Sequence, residues 1–469
     1  MAEVTFLHVA GMASTLLLIM IIGINSGKNI KNSSDFTTGG KSASTSLVAG
    51  ALISTLIGGS STIGTAQLAY SYGMSAWWFT LGSGLGCLLF GLFFVNPFRN
   101  SGFVTIQQVI SHEYGNFAGV VASVLSSFGI VLNIVAQILS ANALLTAVFG
   151  ISPGISAAIT VAIMICYVVF GGVLVTGILG NVKLVLSYIA VGFGTYKILT
   201  LSGGFAPIYN ALPKEQYFSM FARGFGIDMG SLVSVVLGVL CGQTYVQTIL
   251  SGRNDLDAKK ATVAAALLLP PVGLGAVFIG MYMKINYPLI ESSQAFPVFV
   301  LENMPPLLGG AVLATLLLAL VGTGSGMALG FGTIVSKDIY KKFIRKDADG
   351  KKELLVSRIF IVLSFLISAA IVSINKQTAI LTWGFLATGL RGTVLLFPMI
   401  GSLFFKDKID HRFAVASSIG GITAHLACEL FFELSFDSLF AGLGVGFVIF
   451  AVGAIVKKFG RDNNIIKQS

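Results

Sequence analysis

A chain of 469 residues that is 55% hydrophobic and only 10% charged, with mean hydropathy +0.89, is too apolar for a soluble fold, where about a quarter of residues are charged. Its net charge of +10 is spread between apolar segments and forms no single basic patch, which excludes a nucleic-acid partner. Four cysteines lying singly inside apolar segments and four scattered histidines make no disulfide framework, metal cluster or nucleophile–base pair, so no enzyme is expected. The composition predicts an all-α polytopic membrane protein.

The first apolar segment, residues 4–24, has no basic n-region and no small-residue cleavage site, so it reads as a retained span and not a signal peptide. Twelve more follow at about 44–74, 76–96, 117–148, 153–176, 179–202, 228–250, 260–284, 307–335, 355–374, 378–405, 412–432 and 438–456. About thirteen spans put the termini on opposite sides. Lys28, Lys31, Lys41, Arg99, Arg253, Lys259, Lys260, the charged run 337–358, Lys406, Lys408, Arg412 and the tail Lys457, Lys458, Arg461 and Lys467 fall on one side. The other side holds few, including Lys214, Arg223 and Lys376. The positive-inside rule then predicts an outside N-terminus and a cytoplasmic C-terminus in a plasma or inner membrane. Residues 104–115 are too polar to span and are expected along the inner interface.

Two spans are interrupted. The second carries Ser54-Thr55-Leu56-Ile57-Gly58-Gly59-Ser60-Ser61-Thr62-Ile63-Gly64-Thr65-Ala66-Gln67, and the seventh carries Gly238 through Gln247. Glycine beside hydroxyl residues can serve close helix packing, or can mark an opened helix lining a transport site. Five spans counted from the second and five from the seventh each begin with such an interruption. Because five is odd, the two sets run in opposite senses. This inverted pair favours a transport site over packing alone. The expected divisions are 1–37 (an extra helix and loop), 38–202 (first repeat), 203–227 (outer loop), 228–405 (second repeat) and 406–469 (two helices and a basic tail).

Gly39-Gly40-Lys41, Gly58 to Gln67, Asn96-Pro97-Phe98-Arg99-Asn100-Ser101-Gly102-Phe103-Val104-Thr105, Tyr167 to Gly172, Gln243 to Gln247, Thr323-Gly324-Ser325 and Ser336-Lys337-Asp338-Ile339-Tyr340 together resemble the sodium/solute symporter family. The resemblance covers about residues 38–460, and the motifs look closest to the choline-transporter branch. It implies a LeuT-type five-plus-five core and, as function, cation-coupled symport of a small organic solute by alternating access, with sodium as the coupling ion. It also implies a central sodium site with backbone carbonyls of Gly59 and Thr62, the Ala319 carbonyl, and hydroxyl positions at Gly322 and Thr323. Gly322 has no hydroxyl, so this set is incomplete. The loop-like Gly322-Thr323-Gly324-Ser325-Gly326 follows no strand and is no dinucleotide site.

Where the family carries an aspartate and, three residues on, a glutamine, this chain has Gly180 and Lys183. A lysine inside a span snorkels to the interface or serves a function. Lys183 is thus either structural or a surrogate for the cation that carries a coupling proton. Sodium is the first expectation; proton-coupled or sodium-independent transport and a non-transporting solute sensor are the alternatives.

The solute site is expected between the broken helices, from Ser60, Ser61, Gln67, Asn133, Gln137, Gln243 and Gln247, unless these amides only join helices. Choline needs aromatic faces, yet Leu56 and Gly242 stand where the choline branch has tryptophans. Arg391, within the eleventh span, either binds a solute anion or bonds backbone carbonyls. Acidic partners in other spans are scarce, Glu429 being one. An anionic or zwitterionic solute is preferred.

Overall fold

The computed structural model describes residues 4–27, 41–169, 173–345, 347, 349–374 and 379–466. Lys28, Lys31, Lys376 and the double glycines at 39–40 and 171–172 lie outside them. The chain is all-helical, as its composition predicts. Among the described residues nine helices are each long and apolar enough to cross a bilayer, and a bent pair, Phe225–Leu240 with Gln243–Ser251, makes a tenth. Shorter apolar helices at Phe6–Ile19, Thr45–Leu56 and Pro153–Tyr167 complete the expected order of about thirteen spans.

The second span breaks where its glycines are. Helix Thr45–Leu56 ends at Ile57, which is extended (φ −82°, ψ 95°). A π-helical turn, Ser60–Gly64, then leads into helix Thr65–Tyr72. Two of the displaced amides find side-chain partners. The Gly58 amide, which a continuous helix would give to the Ser54 carbonyl, donates to Ser61 Oγ at 2.8 Å. The Gly59 amide donates to Gln137 Oε1 at 2.8 Å. The break therefore frees main-chain oxygens at the centre of the bundle, while protein groups satisfy these two amides.

The seventh span breaks at Cys241-Gly242, bending by 46° between its two halves. Gly242 is extended, and the Tyr245 ring lies over it: a Cβ there would meet Tyr245 Cδ2 at 2.2 Å. The tryptophan of the choline branch could not be accommodated in this arrangement.

Glycines also set the distance between the second and sixth spans. A Cβ on Gly50 would lie 2.2 Å from the Gly177 carbonyl, and one on Gly180 would lie 1.9 Å from the Gly50 carbonyl. Only bare backbone fits at such a crossing. Gly180, conspicuous in the sequence as a missing aspartate, is thus a packing residue. It brings the next turn, with Lys183, onto the freed oxygens of the break.

The polar stretch after the third span folds as a nine-residue helix, Ile106–Tyr114, capped by Thr105, whose side chain accepts the Gln108 amide. It is too short to span, in keeping with an interfacial position.

Candidate transport site

A buried cavity of about 20 Å³ lies between the two breaks, lined in part by Leu56, Gly58, Ser60, Asn133, Gln137, Tyr245, Thr323 and Thr388. Such a volume admits a single water and not an organic solute. On one side Phe79 and Phe385 close it, their ring centroids 5.8 Å apart. Behind them the Arg223 guanidinium lies 5.5 Å from the Phe385 ring and pairs with fully buried Asp228 at 2.6 Å. On the other side are Tyr245 and Met327, and beyond Met327 lies Arg391.

The residues proposed from sequence divide by what they bond. Ser60 Oγ and Asn133 Oδ1 are buried, line the cavity and have no protein partner. Gln137 lines it too, although its Oε1 is engaged by Gly59. The others are committed elsewhere. Ser61 closes onto the Gly58 amide and carbonyl. Gln67 Oε1 accepts the Ile380 amide at 3.0 Å and so caps the eleventh span. Gln243 accepts from the Ile106 amide and donates to the Val104 carbonyl, tying the Gln243–Ser251 half of the seventh span to the capped short helix. Gln247 donates to Thr333 Oγ1 at 2.7 Å. Gln67, Gln243 and Gln247 join helices, with Gln247 Oε1 left buried and without a protein partner, whereas Ser61 bonds only within its own span.

Arg391 is 2% exposed. Its Nε donates to the Ala387 carbonyl at 3.3 Å, Nη1 lies 3.6 Å from Met327 Sδ, and Nη2 has no partner. Among the described residues no carboxylate pairs with it. Its stem fits only because residue 129 is glycine, where a Cβ would stand 2.6 Å from Arg391 Cγ.

The oxygens grouped for a cation differ from those expected. The Gly59 carbonyl accepts the Gly64 amide and the Thr62 carbonyl accepts the Thr65 amide, so both serve the π-helical turn. The carbonyls that meet the ninth span are those of Ser54 and Ile57, each 3.2 Å from Thr323 Oγ1. The Ala319 carbonyl joins them, but a lysine already bridges it to Ser54: Lys183 Nζ donates to the Ser54 carbonyl at 2.5 Å and to the Ala319 carbonyl at 2.9 Å. Lys183 is 5% exposed and does not snorkel. The spacing of the carbonyl pair by three residues was the recoverable signal, because Ser54 and Ile57 flank the last turn before the break.

A bundle of about thirteen spans, with two helices broken around a central buried cavity, defines a secondary transporter of the LeuT type. The chain belongs to the sodium:solute symporter family, whose model matches residues 36–421. It is therefore a symporter of a small organic solute within a sodium-coupled class. Human high affinity choline transporter 1 is 23% identical over 443 residues, covering 88% of this chain and 76% of the relative. The osmoregulated proline transporter OpuE of Bacillus subtilis is 22% identical, over 87% of this chain and 86% of its own. In fold the chain is similar to a Na+-coupled sialic acid symporter in a substrate-bound outward-open state, with TM-score 0.80 at 16% identity, covering 97% of this chain and 98% of that one.

Proposed function

We propose that the chain carries a small organic anion or zwitterion through the cavity between its second and seventh spans, by alternating access. The observation that carries this reading is Arg391. A buried guanidinium without a counter-charge costs several kcal/mol, and an incoming carboxylate, able to take two parallel N–H bonds, offsets that cost. Ser60 and Asn133 offer unpaired polar atoms above it, where the solute's remaining polar groups bind. Choline, the solute named for several relatives, suits this site poorly, because its fixed positive charge is repelled by the uncompensated Arg391 guanidinium. Proline and sialic acid, named for the other two, both carry a carboxylate.

Arg391 sits a turn beyond Thr388 on the eleventh span, away from the Phe79–Phe385 closure. In the proposed orientation, with the N-terminus outside and the C-terminus cytoplasmic, it stands on the inner exit route. The solute is admitted when Phe79 and Phe385 part, and leaves when the inner halves of the broken spans move away from the ninth. Each ligand drives the cycle only by binding one of the two states better than the other.

The test is uptake into proteoliposomes of labelled proline, sialic acid, lactate and choline. Uptake of a carboxylate, with KM raised about tenfold or more in Arg391→Gln and partly restored in Arg391→Lys, is the expected result. Uptake of choline alone, indifferent to Arg391, overturns the reading.

A further inference from the structure

The oxygen set at the break does not fit sodium as it stands. Two of its three carbonyls, those of Ser54 and Ala319, already receive the hydrogens of Lys183 Nζ. One of its two hydroxyl positions is Gly322. These two departures are in contact: a Cβ on Gly322 would stand 3.5 Å from Lys183 Nζ, 3.4 Å from Ser54 Oγ and 3.6 Å from the Tyr167 hydroxyl. The ammonium fills the place a second hydroxyl would otherwise reach into. An ammonium and a sodium ion carry the same charge and seek the same oxygens, so the two exclude each other there.

We propose that Lys183 is the cation of this seat, and that a proton carried on its amine couples the cycle where relatives in the family use sodium. The inference rests on reading the seat as the coupling site of the transporter proposed above. The surroundings suit a charge that comes and goes. No Asp, Glu or Arg occurs in 6–27, 45–72, 153–169, 173–201, 243–251 or 306–334, the segments packed around the seat; Lys197 is the only other lysine among them, and His8 of the first span lies beside Gly309 and Gly310. Tyr167 is the titratable group that shares the seat; otherwise carbonyls and the hydroxyls of Ser54 and Thr323 face the amine. The ammonium is thus held by main-chain oxygens alone. Those oxygens converge only while the inner half of the second span lies against the ninth.

The cycle follows from that dependence. With Lys183 protonated, its N–H bonds bridge Ser54 to Ala319 and hold the inner side shut. When the inner half of the second span swings away, the amine loses the Ser54 carbonyl, and one N–H bond breaks as its proton passes to cytoplasmic water, leaving neutral lysine. A proton from extracellular water restores the ammonium once the site faces outward. Thr323 links this seat to the solute, since it lines the cavity and also donates to the Ser54 and Ile57 carbonyls.

The experiment needs no solute. Cys241 is 1% exposed at the break of the seventh span, so its alkylation reports inner-side opening. It is measured with Cys87, Cys166 and Cys428 replaced by alanine, relative to denatured protein at the same pH. Between pH 6 and pH 9 labelling is expected to rise at least fivefold, with sodium and potassium equivalent. In Lys183→Gln the pH dependence disappears, and in Lys183→Arg the site stays closed throughout. Lys183→Ala with Gly322→Ser, which exchanges the ammonium for the missing hydroxyl, is expected to gain protection by sodium and not by potassium. Gel filtration confirms that each variant folds. Protection of the parent protein by sodium, unchanged in Lys183→Gln, overturns the inference. That result leaves the carboxylate reading intact, which is judged by uptake alone.

Discussion

Gly59 shows how tightly single residues are constrained around the break. A Cβ there would lie 2.2 Å from Ser140 Oγ and 2.3 Å from its Cβ, and on Gly58 it would meet Thr323 Oγ1 at 2.5 Å. Both contacts lie below any distance that real atoms tolerate, so the fourth and ninth spans close on the opened helix only across bare backbone. Gly59→Ala is expected to abolish uptake or lower stability by about 1–3 kcal/mol, and Ser140→Gly in the same protein should recover much of the loss. Thermal unfolding of the two variants in detergent decides the point; an unaltered Gly59→Ala midpoint would contradict it. At this scale the sequence was informative about kind and weaker about role. Gly58 and Gly59 stood out as an interruption, Gly180 as a departure from the family pattern, and Lys183 and Arg391 as charges within spans. Which oxygens they freed or met was hidden, because carbonyl groups have no side-chain identity: Ser54 and Ile57 contribute atoms that every residue possesses.

Among the elements, the broken seventh span was legible from Gly238, Cys241-Gly242 and the glutamines, and the bend of 46° lies there. The use of those glutamines was not legible. Gln243 is spent on the main chain of Val104 and Ile106, fastening the half-helix Gln243–Ser251 to the short capped helix, while Thr244 Oγ1 donates to the Gly326 carbonyl at 3.0 Å. A buried amide offers the same two bonds to a solute or to a neighbouring backbone, and only the position of the neighbour distinguishes them. Gln243→Leu removes two bonds worth about 1 kcal/mol each, which shifts a two-state equilibrium roughly tenfold or more toward inner opening. The expected outcome is faster alkylation of Cys241 with little change in the KM of the transported carboxylate. A raised KM with unchanged alkylation would return Gln243 to the solute site.

Across the whole molecule, contacts between loops gather the basic residues at one end. Arg99 Nε pairs with Asp255 at 2.5 Å and its Nη1 reaches the Ile249 and Gly252 carbonyls. Thr45 donates to Asp257, Lys342 to Ser111, and the Asp407 amide to Glu113. At the other end Trp78 donates to the Met220 carbonyl, Gln216 to that of Ser71, and Arg223 pairs with Asp228. The positive-inside rule makes the lysine- and arginine-rich end the proposed cytoplasmic one. An impermeant maleimide should therefore label a cysteine placed at Leu289 from outside intact cells, and one placed at Asp407 only after permeabilisation. The reverse pattern would invert the proposed topology.

Class, span order and the places of the two breaks followed from sequence, because burying a helix in lipid is a local demand met by composition within some twenty residues. The same is true of the unusual charges, since a lysine or arginine within a span is conspicuous wherever it points. What only the tertiary structure decided was the partner of each: Lys183 on the Ser54 and Ala319 carbonyls, Gln243 on a loop, Arg391 beside a sulfur and a single carbonyl. The Lys183 and Gln243 pairings join residues more than a hundred positions apart, and a shift of one helical turn at a glycine crossing would reassign them.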